Sequence, residues 1–310
     1  MKHTLNITLI LLGIFLLTQY LGIAILYNYV DWAQTAETGI TSFQALPVGE
    51  RPQFAEQTSY LPVLLMVILG TAILLLLIRF KLDWLWKLWF LSAVFLTLTI
   101  AFYAFIALKV ALFLALALSI WKIFRPNVWV QNFTELFTYG GLAAIFVPVF
   151  NLWSISILLI LISGYDAYAV WKSKHMITLA QSQAKSNVFA GLLIPYAMGK
   201  VAPLLPKAPE KIKTITKTTT TNKTTSTTKN DSGKTRMALL GGGDIAFPLL
   251  FAGVVLKQWG LLPSLIIPLF ALFGLGLLLW KAEDKKFYPA MPFISAGCFV
   301  GLGVAWLIGY

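Results

Sequence analysis

Residues 152–171 read LWSISILLILISGYDAYAVW and contain one charged side chain, Asp166. A helix that crosses a bilayer needs about 20 consecutive, mainly apolar residues, so this segment predicts a transmembrane helix. Burying an ionisable side chain in a membrane is costly, and such a residue marks a functional site by default. This segment thus predicts a helical membrane protein and identifies Asp166 as a candidate functional residue.

The composition of the whole chain agrees with this prediction. Of 310 residues, 58% are hydrophobic and 12% are charged, whereas soluble domains have about 45–50% apolar and about 25% charged residues. The mean hydropathy is +0.79. The single cysteine, Cys298, lies within an apolar run, which excludes a disulfide framework and a thiolate metal cluster. We expect one bundle of membrane helices.

Nine stretches of the chain are apolar and long enough to span a bilayer. The predicted fold class is therefore an all-α polytopic membrane protein with nine transmembrane helices. The predicted spans are residues 4–30, 60–78, 88–106, 108–124, 133–150, 152–171, 237–256, 259–280 and 287–309.

The basic residues indicate the orientation of the nine spans. With a cytoplasmic N-terminus, 21 of the 24 Lys and Arg residues fall on the cytoplasmic side, as the positive-inside rule requires. Arg51, Lys109 and Lys257 fall outside. Eight spans would instead place the twelve cations from Lys172 to Arg236 outside. The net charge of +12 therefore mostly reports topology and not a nucleic-acid partner, and the C-terminus is predicted to lie outside.

The spans fall in two blocks separated by a polar segment. Residues 1–200 hold spans one to six, the net-acidic external loop 31–59, and a cytoplasmic helix after span six that extends to about Ala197. Residues 201–236 are rich in Thr and Lys and cannot bury enough apolar area to order themselves. We expect them to form a flexible cytoplasmic linker. Residues 237–310 hold spans seven to nine.

Few carboxyl groups lie within the predicted spans. Asp166 in span six lies six residues before Lys172, about 9 Å of helix rise from the cytoplasmic interface. Asp244 in span seven lies eight residues after Arg236, about 12 Å from the same interface. The two carboxyls are therefore predicted to share one depth on adjacent antiparallel helices. Glu135 lies near the cytoplasmic start of span five, where we expect it to be solvated.

Two carboxyls at one depth fit two kinds of chemistry. A few ångströms apart in a low dielectric they cannot both ionise easily, so they share one proton. The ionised group then takes a proton from a water that attacks a peptide carbonyl, while the protonated group acts as the acid. The alternative is a proton or cation relay in a transporter or channel, which has a slight advantage on the two aspartates alone. A third alternative is an inactive scaffold that binds transmembrane helices.

Other peptidase chemistries lack their residues in this sequence. His3 and His175 both lie outside the predicted spans, and no H-E-x-x-H motif occurs. A membrane-embedded Ser–His pair and a zinc helix are therefore excluded. We expect neither a cofactor nor a metal ion, so any peptide bond cut within this bilayer is predicted to be cut by aspartates.

Three short motifs occur in order in spans six, seven and nine. They are Tyr165-Asp166, Gly241-Gly242-Gly243-Asp244 and Pro289-Ala290-Met291. Together they resemble the Y-D, G-x-G-D and P-A-L motifs of the presenilin and signal peptide peptidase family of intramembrane aspartyl proteases, and most of all its archaeal members. Spans one to five match that family in number and sidedness.

The resemblance implies a presenilin-like bundle in which Asp166 and Asp244 are the catalytic pair. It also implies a set of residues that bind substrate or shape the site. Met291 replaces the leucine of P-A-L, a swap that conserves volume, and Gly242 replaces a residue that is often leucine, which we expect to alter the choice of cleavage site. The implied set is Tyr165, Gly241, Gly242, Gly243, Pro289, Ala290 and Met291.

The resemblance further implies substrates that are single-span membrane proteins, which enter laterally from the lipid bilayer and unwind locally. The predicted orientation is presenilin-like and favours substrates whose N-terminus lies outside. The chain shows no docking segment for obligatory partner subunits, so we expect it to act alone or as a homo-oligomer. We therefore predict an aspartic endopeptidase, integral to the cell membrane, that hydrolyses peptide bonds within transmembrane helices.

Overall fold

The computed structural model describes residues 5–80, 82–173, 189–195, 237–282 and 288–309. These residues form ten α-helices and two antiparallel strand pairs. The helices are α1 (Leu5–Asn28), α2 (Trp32–Thr38), α3 (Tyr60–Arg79), α4 (Asp83–Tyr103), α5 (Leu108–Phe124), α6 (Val128–Phe146), α7 (Leu152–Tyr168), α8 (Gly242–Trp259), α9 (Leu261–Lys281) and α10 (Met291–Leu307). The strands are β1 (Val30–Asp31), β2 (Ser42–Phe43), β3 (Gly191–Pro195) and β4 (Met237–Gly241).

Five helices in the described part of the chain are long and apolar enough to cross a membrane, namely α1, α3, α4, α7 and α9. The apolar α10 is shorter. Each of the nine predicted spans overlaps one helix other than α2. Large apolar side chains such as Phe113 and Trp153 face outward, 72% and 69% exposed, as lipid-facing residues do. A helical membrane protein is therefore confirmed, and nine crossings stay a prediction.

Helix α8 lies at the centre of the bundle. All residues from Leu249 to Leu256 are buried, and a helix that is buried on every side belongs to a core. Helix α8 packs against α1, α6, α7, α9 and α10, and α1 also packs against α6 and α9. Helix α8 is therefore positioned by several neighbouring helices.

Small residues allow α9 and α10 to pack closely. A Cβ atom on Gly297 would collide with the backbone carbonyl of Phe270, and one on Gly274 would collide with that of Phe293. A Cβ on Gly301 would lie 3.2 Å from the Phe270 side chain. The G-x-x-x-G pattern of Gly297 and Gly301 thus serves helix packing.

The strands β3 and β4 correct two expectations. The helix predicted to extend to about Ala197 is replaced at Gly191–Pro195 by a strand, and span seven does not begin as a helix at residue 237. The two strands pair in register from Gly191↔Gly241 to Pro195↔Met237. Side chains of α6 hold β3 in place: Asn132 exchanges two hydrogen bonds with the backbone of Leu193, at 2.7 and 2.9 Å.

The expected solvation of Glu135 is wrong. Its side chain is 2% exposed and forms an ion pair with Lys122 of α5, with Nζ and Oε1 2.5 Å apart. The Gln131 side chain donates a further hydrogen bond of 2.9 Å to the same oxygen. A charge is buried at low cost only when it is paired and hydrogen-bonded, and here the partner comes from a different helix.

The predicted external loop 31–59 contains α2, β1 and β2, and is tied to the bundle by Arg51, whose Nε donates to the Ala144 carbonyl at 3.2 Å. The predicted linker 201–236 lies outside the described residues, as does most of the predicted helix after span six.

Candidate active site

Asp166 lies in the last turn of α7, where the helix continues into a π-helical turn, Ala169–Ser173. The start of α7 is fixed by a capping box in which Asn151 and Ser154 exchange hydrogen bonds. Near its other end, the hydroxyls of Ser163 and Ser295 lie 2.7 Å apart and join α7 to α10. The carboxyl of Asp166 is thus carried by a helix that is held at both ends.

Asp244 is the third residue of α8, and this placement differs from the predicted one. The sequence placed Asp244 about two turns into a helix that begins near Arg236, whereas residues Met237–Gly241 form strand β4. Gly241 is the N-cap in an extended conformation with no side chain to cap the helix. The Asp244 carboxyl reaches back to the backbone N–H of Gly241, as the third residue of a capping box does.

The two predicted catalytic carboxyls approach each other across α7 and α8. Helices α7 and α8 pack together, and Asp166 interacts electrostatically with Asp244. Both side chains are half-buried. The structure therefore brings together the two carboxyls that the sequence placed at one depth.

The predicted Pro289-Ala290-Met291 segment completes this cluster. Pro289 is buried, and α10 begins at Met291 with Ala290 as its N-cap. The backbone N–H of Met291 donates to Oδ2 of Asp166 at 3.2 Å, and the N–H of Ala290 also donates to that carboxyl. The first N–H groups of a helix lack partners within the helix, so the start of α10 supplies donors to Asp166.

The remaining predicted residues lie around the pair. Tyr165 precedes Asp166 on α7 and is half-buried. Gly243 is exposed, and a Cβ there would meet only Phe247, at 3.7 Å. Gly242 is tightly surrounded, because a Cβ there would lie 2.7 Å from the Tyr139 hydroxyl oxygen and 3.3 Å from the Ala190 carbonyl.

Sequence reasoning missed two polar residues beside Asp244. Gln19 of α1 is fully buried, and its Nε2 donates to the backbone carbonyl of Ile245 at 2.8 Å. Tyr139 of α6 is 5% exposed and interacts electrostatically with Asp244. The signal that identifies Gln19 is a polar side chain within an apolar helix, which the search for ionisable residues alone passes over.

Among the described residues, no group of three or more His, Cys, Asp or Glu side chains could hold a metal ion. Two neighbouring carboxyls that receive backbone N–H donors are suited to acid–base chemistry.

The family model described as signal-peptide peptidase, presenilin aspartyl protease matches residues 12–309. The chain belongs to this family. The resemblance of its three motifs to the presenilin and signal peptide peptidase family is thus confirmed, and the protein is an aspartic intramembrane peptidase. No curated protein sequence matches the chain significantly.

Solved structures of a presenilin family intramembrane aspartate protease share the fold of this family member. The structure in space group C222 has a TM-score of 0.61 and 17% sequence identity, and covers 97% of this chain and 99% of its own. The structure in space group P2 has a TM-score of 0.56 and 18% identity, with 98% of both chains covered.

Proposed function

We propose that Asp166 and Asp244 are the catalytic pair of this intramembrane peptidase. The observation that carries the proposal is the packing of α7 against α8, which brings the two carboxyls within electrostatic range of each other, with a backbone N–H of α10 on Asp166. The ionised carboxylate takes a proton from water, whose oxygen attacks the peptide carbonyl carbon. The protonated carboxyl hydrogen-bonds the carbonyl oxygen, and a proton then passes to the leaving amine. The products are one new carboxyl and one new amine.

The substrates in this proposal are transmembrane helices of single-span proteins, reached from the lipid bilayer. A helix must unwind locally to expose a scissile bond, because its carbonyl groups are otherwise engaged in the helix. The chain acts without cofactor and without obligatory partner subunits, as a single copy or a homo-oligomer. Tyr165, Gly241, Gly243 and Pro289 shape the walls of the site.

The proposed topology follows from the charges. Nine spans, with the N-terminus and residues 173–236 in the cytoplasm and the C-terminus outside, place the excess of Lys and Arg on one side. The site then lies in the cytoplasmic half of the cell membrane, and substrates with an external N-terminus are preferred.

The experiment compares peptide cleavage and ion flux in the same preparations. Purified protein in liposomes is supplied with a single-span peptide whose N-terminus lies outside, as wild type, Asp166→Ala, Asp244→Ala and the control Glu37→Gln. Glu37 is an exposed carboxylate on α2. We expect wild type and Glu37→Gln to cut within the span and both aspartate variants to be inactive. Absence of cleavage together with an ion flux that either aspartate variant abolishes would establish a relay instead.

A further inference from the structure

A buried chain of polar side chains leads from α5 through α6 to the start of α8. Lys122 and Glu135 are 3% and 1% exposed and form an ion pair. Glu135 also accepts a hydrogen bond from Gln131, whose Nε2 donates in addition to the Gly191 carbonyl of β3 at 3.0 Å. Glu135 is thus an ionised, fully buried acceptor on the face of α6 that leads towards α8.

Tyr139 lies one helical turn beyond Glu135 on the same face of α6. Its hydroxyl is buried and has no hydrogen-bond partner among the described residues. The oxygen lies against the first residue of α8, since a Cβ on Gly242 would be 2.7 Å away from it. Tyr139 interacts electrostatically both with Glu135 and with Asp244, two residues further along α8.

A buried hydroxyl without a partner is costly, and native structures rarely keep one without a reason. The Tyr139 hydroxyl is kept at this position because it lies between the carboxylate of Glu135 and the carboxyl of Asp244. The hydroxyl has one proton to donate and lone pairs that accept. The ionised Glu135 is the stronger acceptor for that proton, because hydrogen bonds to a charged group are the stronger ones. The lone pairs are then left for a donor on the α8 side.

We propose that Tyr139 is a positioning residue that holds the proton of the aspartate pair on Asp244, accepting the hydrogen bond of its protonated carboxyl through one bridging water. This inference rests on the proposed function of the pair. One oxygen of Asp244 accepts the Gly241 N–H, and the other carries the proton towards Tyr139. Asp166, which receives the N–H groups of Ala290 and Met291, is the ionised partner. Asp244 is then the acid of the reaction and Asp166 is the base.

The groups around Asp244 define what a pH profile reports. Asp166 faces it from α7, and Tyr139 faces it from α6 with Glu135 and Lys122 behind. The α1 side supplies Gln19, which is neutral and bonds to a backbone carbonyl. Helix α10 supplies backbone N–H groups at the Asp166 carboxyl. Removal of the Tyr139 oxygen therefore acts on the protonated form of Asp244 and leaves the donors on Asp166 in place.

The test compares Tyr139→Phe with Tyr29→Phe. Tyr29 is equally buried, and its hydroxyl donates to the Ile100 carbonyl at 2.8 Å, away from the site. Tyr139→Phe keeps the buried ring and removes only the hydroxyl with its hydrogen bonds, so we expect a thermal unfolding midpoint slightly below that of wild type, as for Tyr29→Phe, which also loses one hydrogen bond. We expect it to lower kcat about three- to tenfold with KM unchanged, the loss of one hydrogen bond. The alkaline limb of the pH profile should move to lower pH, because the protonated acid loses its acceptor. Tyr29→Phe should change neither the limb nor kcat.

An infrared measurement on the intact protein separates this inference from the proposed function. The carbonyl band of the protonated Asp244 carboxyl, assigned by its disappearance in Asp244→Asn, should move to higher frequency in Tyr139→Phe and not in Tyr29→Phe. If the band shifts in a protein that cuts no peptide, the proposed function is wrong, but the interaction between Tyr139 and Asp244 is supported. No assignable band in wild type, an unmoved band in Tyr139→Phe, or an unmoved alkaline limb in an active enzyme would overturn the positioning role.

Discussion

The backbone nitrogen of Met291 lies 3.2 Å from Oδ2 of Asp166, and its N–H donates a hydrogen bond to that oxygen. This bond joins the first residue of α10 to the last turn of α7, two helices separated by more than 120 residues of sequence. Because the donor belongs to the backbone, its position depends on how α10 is seated. The Met291 side chain is 3% exposed and belongs to the main core, so its packing fixes the start of the helix.

We predict that Met291→Leu is tolerated and Met291→Ala is not. Leucine conserves volume and should change the free energy of unfolding by less than about 1.5 kcal/mol. Alanine leaves a cavity and should cost about 2–5 kcal/mol, and it should lower kcat because the N–H donors shift away from Asp166. Denaturant unfolding in detergent and cleavage of a single-span peptide measure the two effects. Equal behaviour of the two variants would contradict this role for the side chain.

Gly242 and Gly243 should respond differently to alanine. A Cβ on Gly243 meets only Phe247 at ordinary contact distance, and alanine is the better helix former, so Gly243→Ala should be neutral or stabilising by about 0.5–1 kcal/mol. Gly242→Ala forces the Tyr139 hydroxyl and the Ala190 carbonyl to move and should cost about 1–3 kcal/mol. Thermal unfolding and kcat of both variants check this. A Gly242→Ala protein with wild-type activity would show that the close contact has no function.

Gln19 should matter more for rate than for stability. Its Nε2 bonds the Ile245 carbonyl, while its Oε1 is buried without a partner among the described residues. Gln19→Leu loses one hydrogen bond and also one unpaired oxygen, so the free energy of unfolding should change by less than about 1 kcal/mol. The residue after Asp244 is then no longer held, and kcat should fall about tenfold.

The control for this change is Thr18→Val on the same helix. Thr18 is fully buried, and its hydroxyl donates to the Ile14 carbonyl within α1 at 2.7 Å, so its removal should leave kcat unchanged. Equal kcat for Gln19→Leu and wild type would show that Gln19 does not position α8.

Substitutions of Lys122 and Glu135 should change the free energy of unfolding in a strongly non-additive way. Lys122→Met leaves an unpaired carboxylate in the core, and Glu135→Leu leaves an unpaired ammonium, each expected to cost about 3–5 kcal/mol. The double variant replaces both by apolar groups and should be close to wild type in stability. Gln131 keeps its backbone partners Phe189 and Gly191 in all three proteins. Unfolding free energies that add would indicate that the pair is not a buried unit.

Much of the fold was predictable because apolar runs are long and unambiguous. The pattern located a helix in each of the nine predicted spans, and the capping residues Asn127 and Asn151 stand at the starts of α6 and α7. Strand β4 was not predictable, because Met237–Gly241 continues an apolar run into α8, and its partner Gly191–Pro195 is remote in sequence. A strand pair of this kind is specified by contacts with Asn132 and Gln131 and not by local periodicity.

The candidate site was predictable to the level of its three motifs. Asp166 and Asp244 were predicted because they are charged residues within predicted spans. The segment at Met291 was predicted from the family resemblance. The environment of Glu135 could not be predicted, because its partner Lys122 lies on another helix and was counted only as a topological charge. Tyr139 could not be predicted for the same reason, because its position relative to Asp244 depends on which helix faces α8, and that is set by packing in three dimensions.

We propose above all that two aspartates on α7 and α8 hydrolyse a peptide bond within a membrane span. The most direct measurement digests a single-span peptide in water labelled with oxygen-18 and determines the product masses for wild type, Asp166→Asn and Asp244→Asn. Asparagine keeps the size of the side chain and removes its acid–base function. We predict that wild type places one labelled oxygen in the new carboxyl, at a bond within the span, and that neither variant forms product. Cleavage that survives the loss of either carboxyl, at the same bond and with the same label, would contradict it.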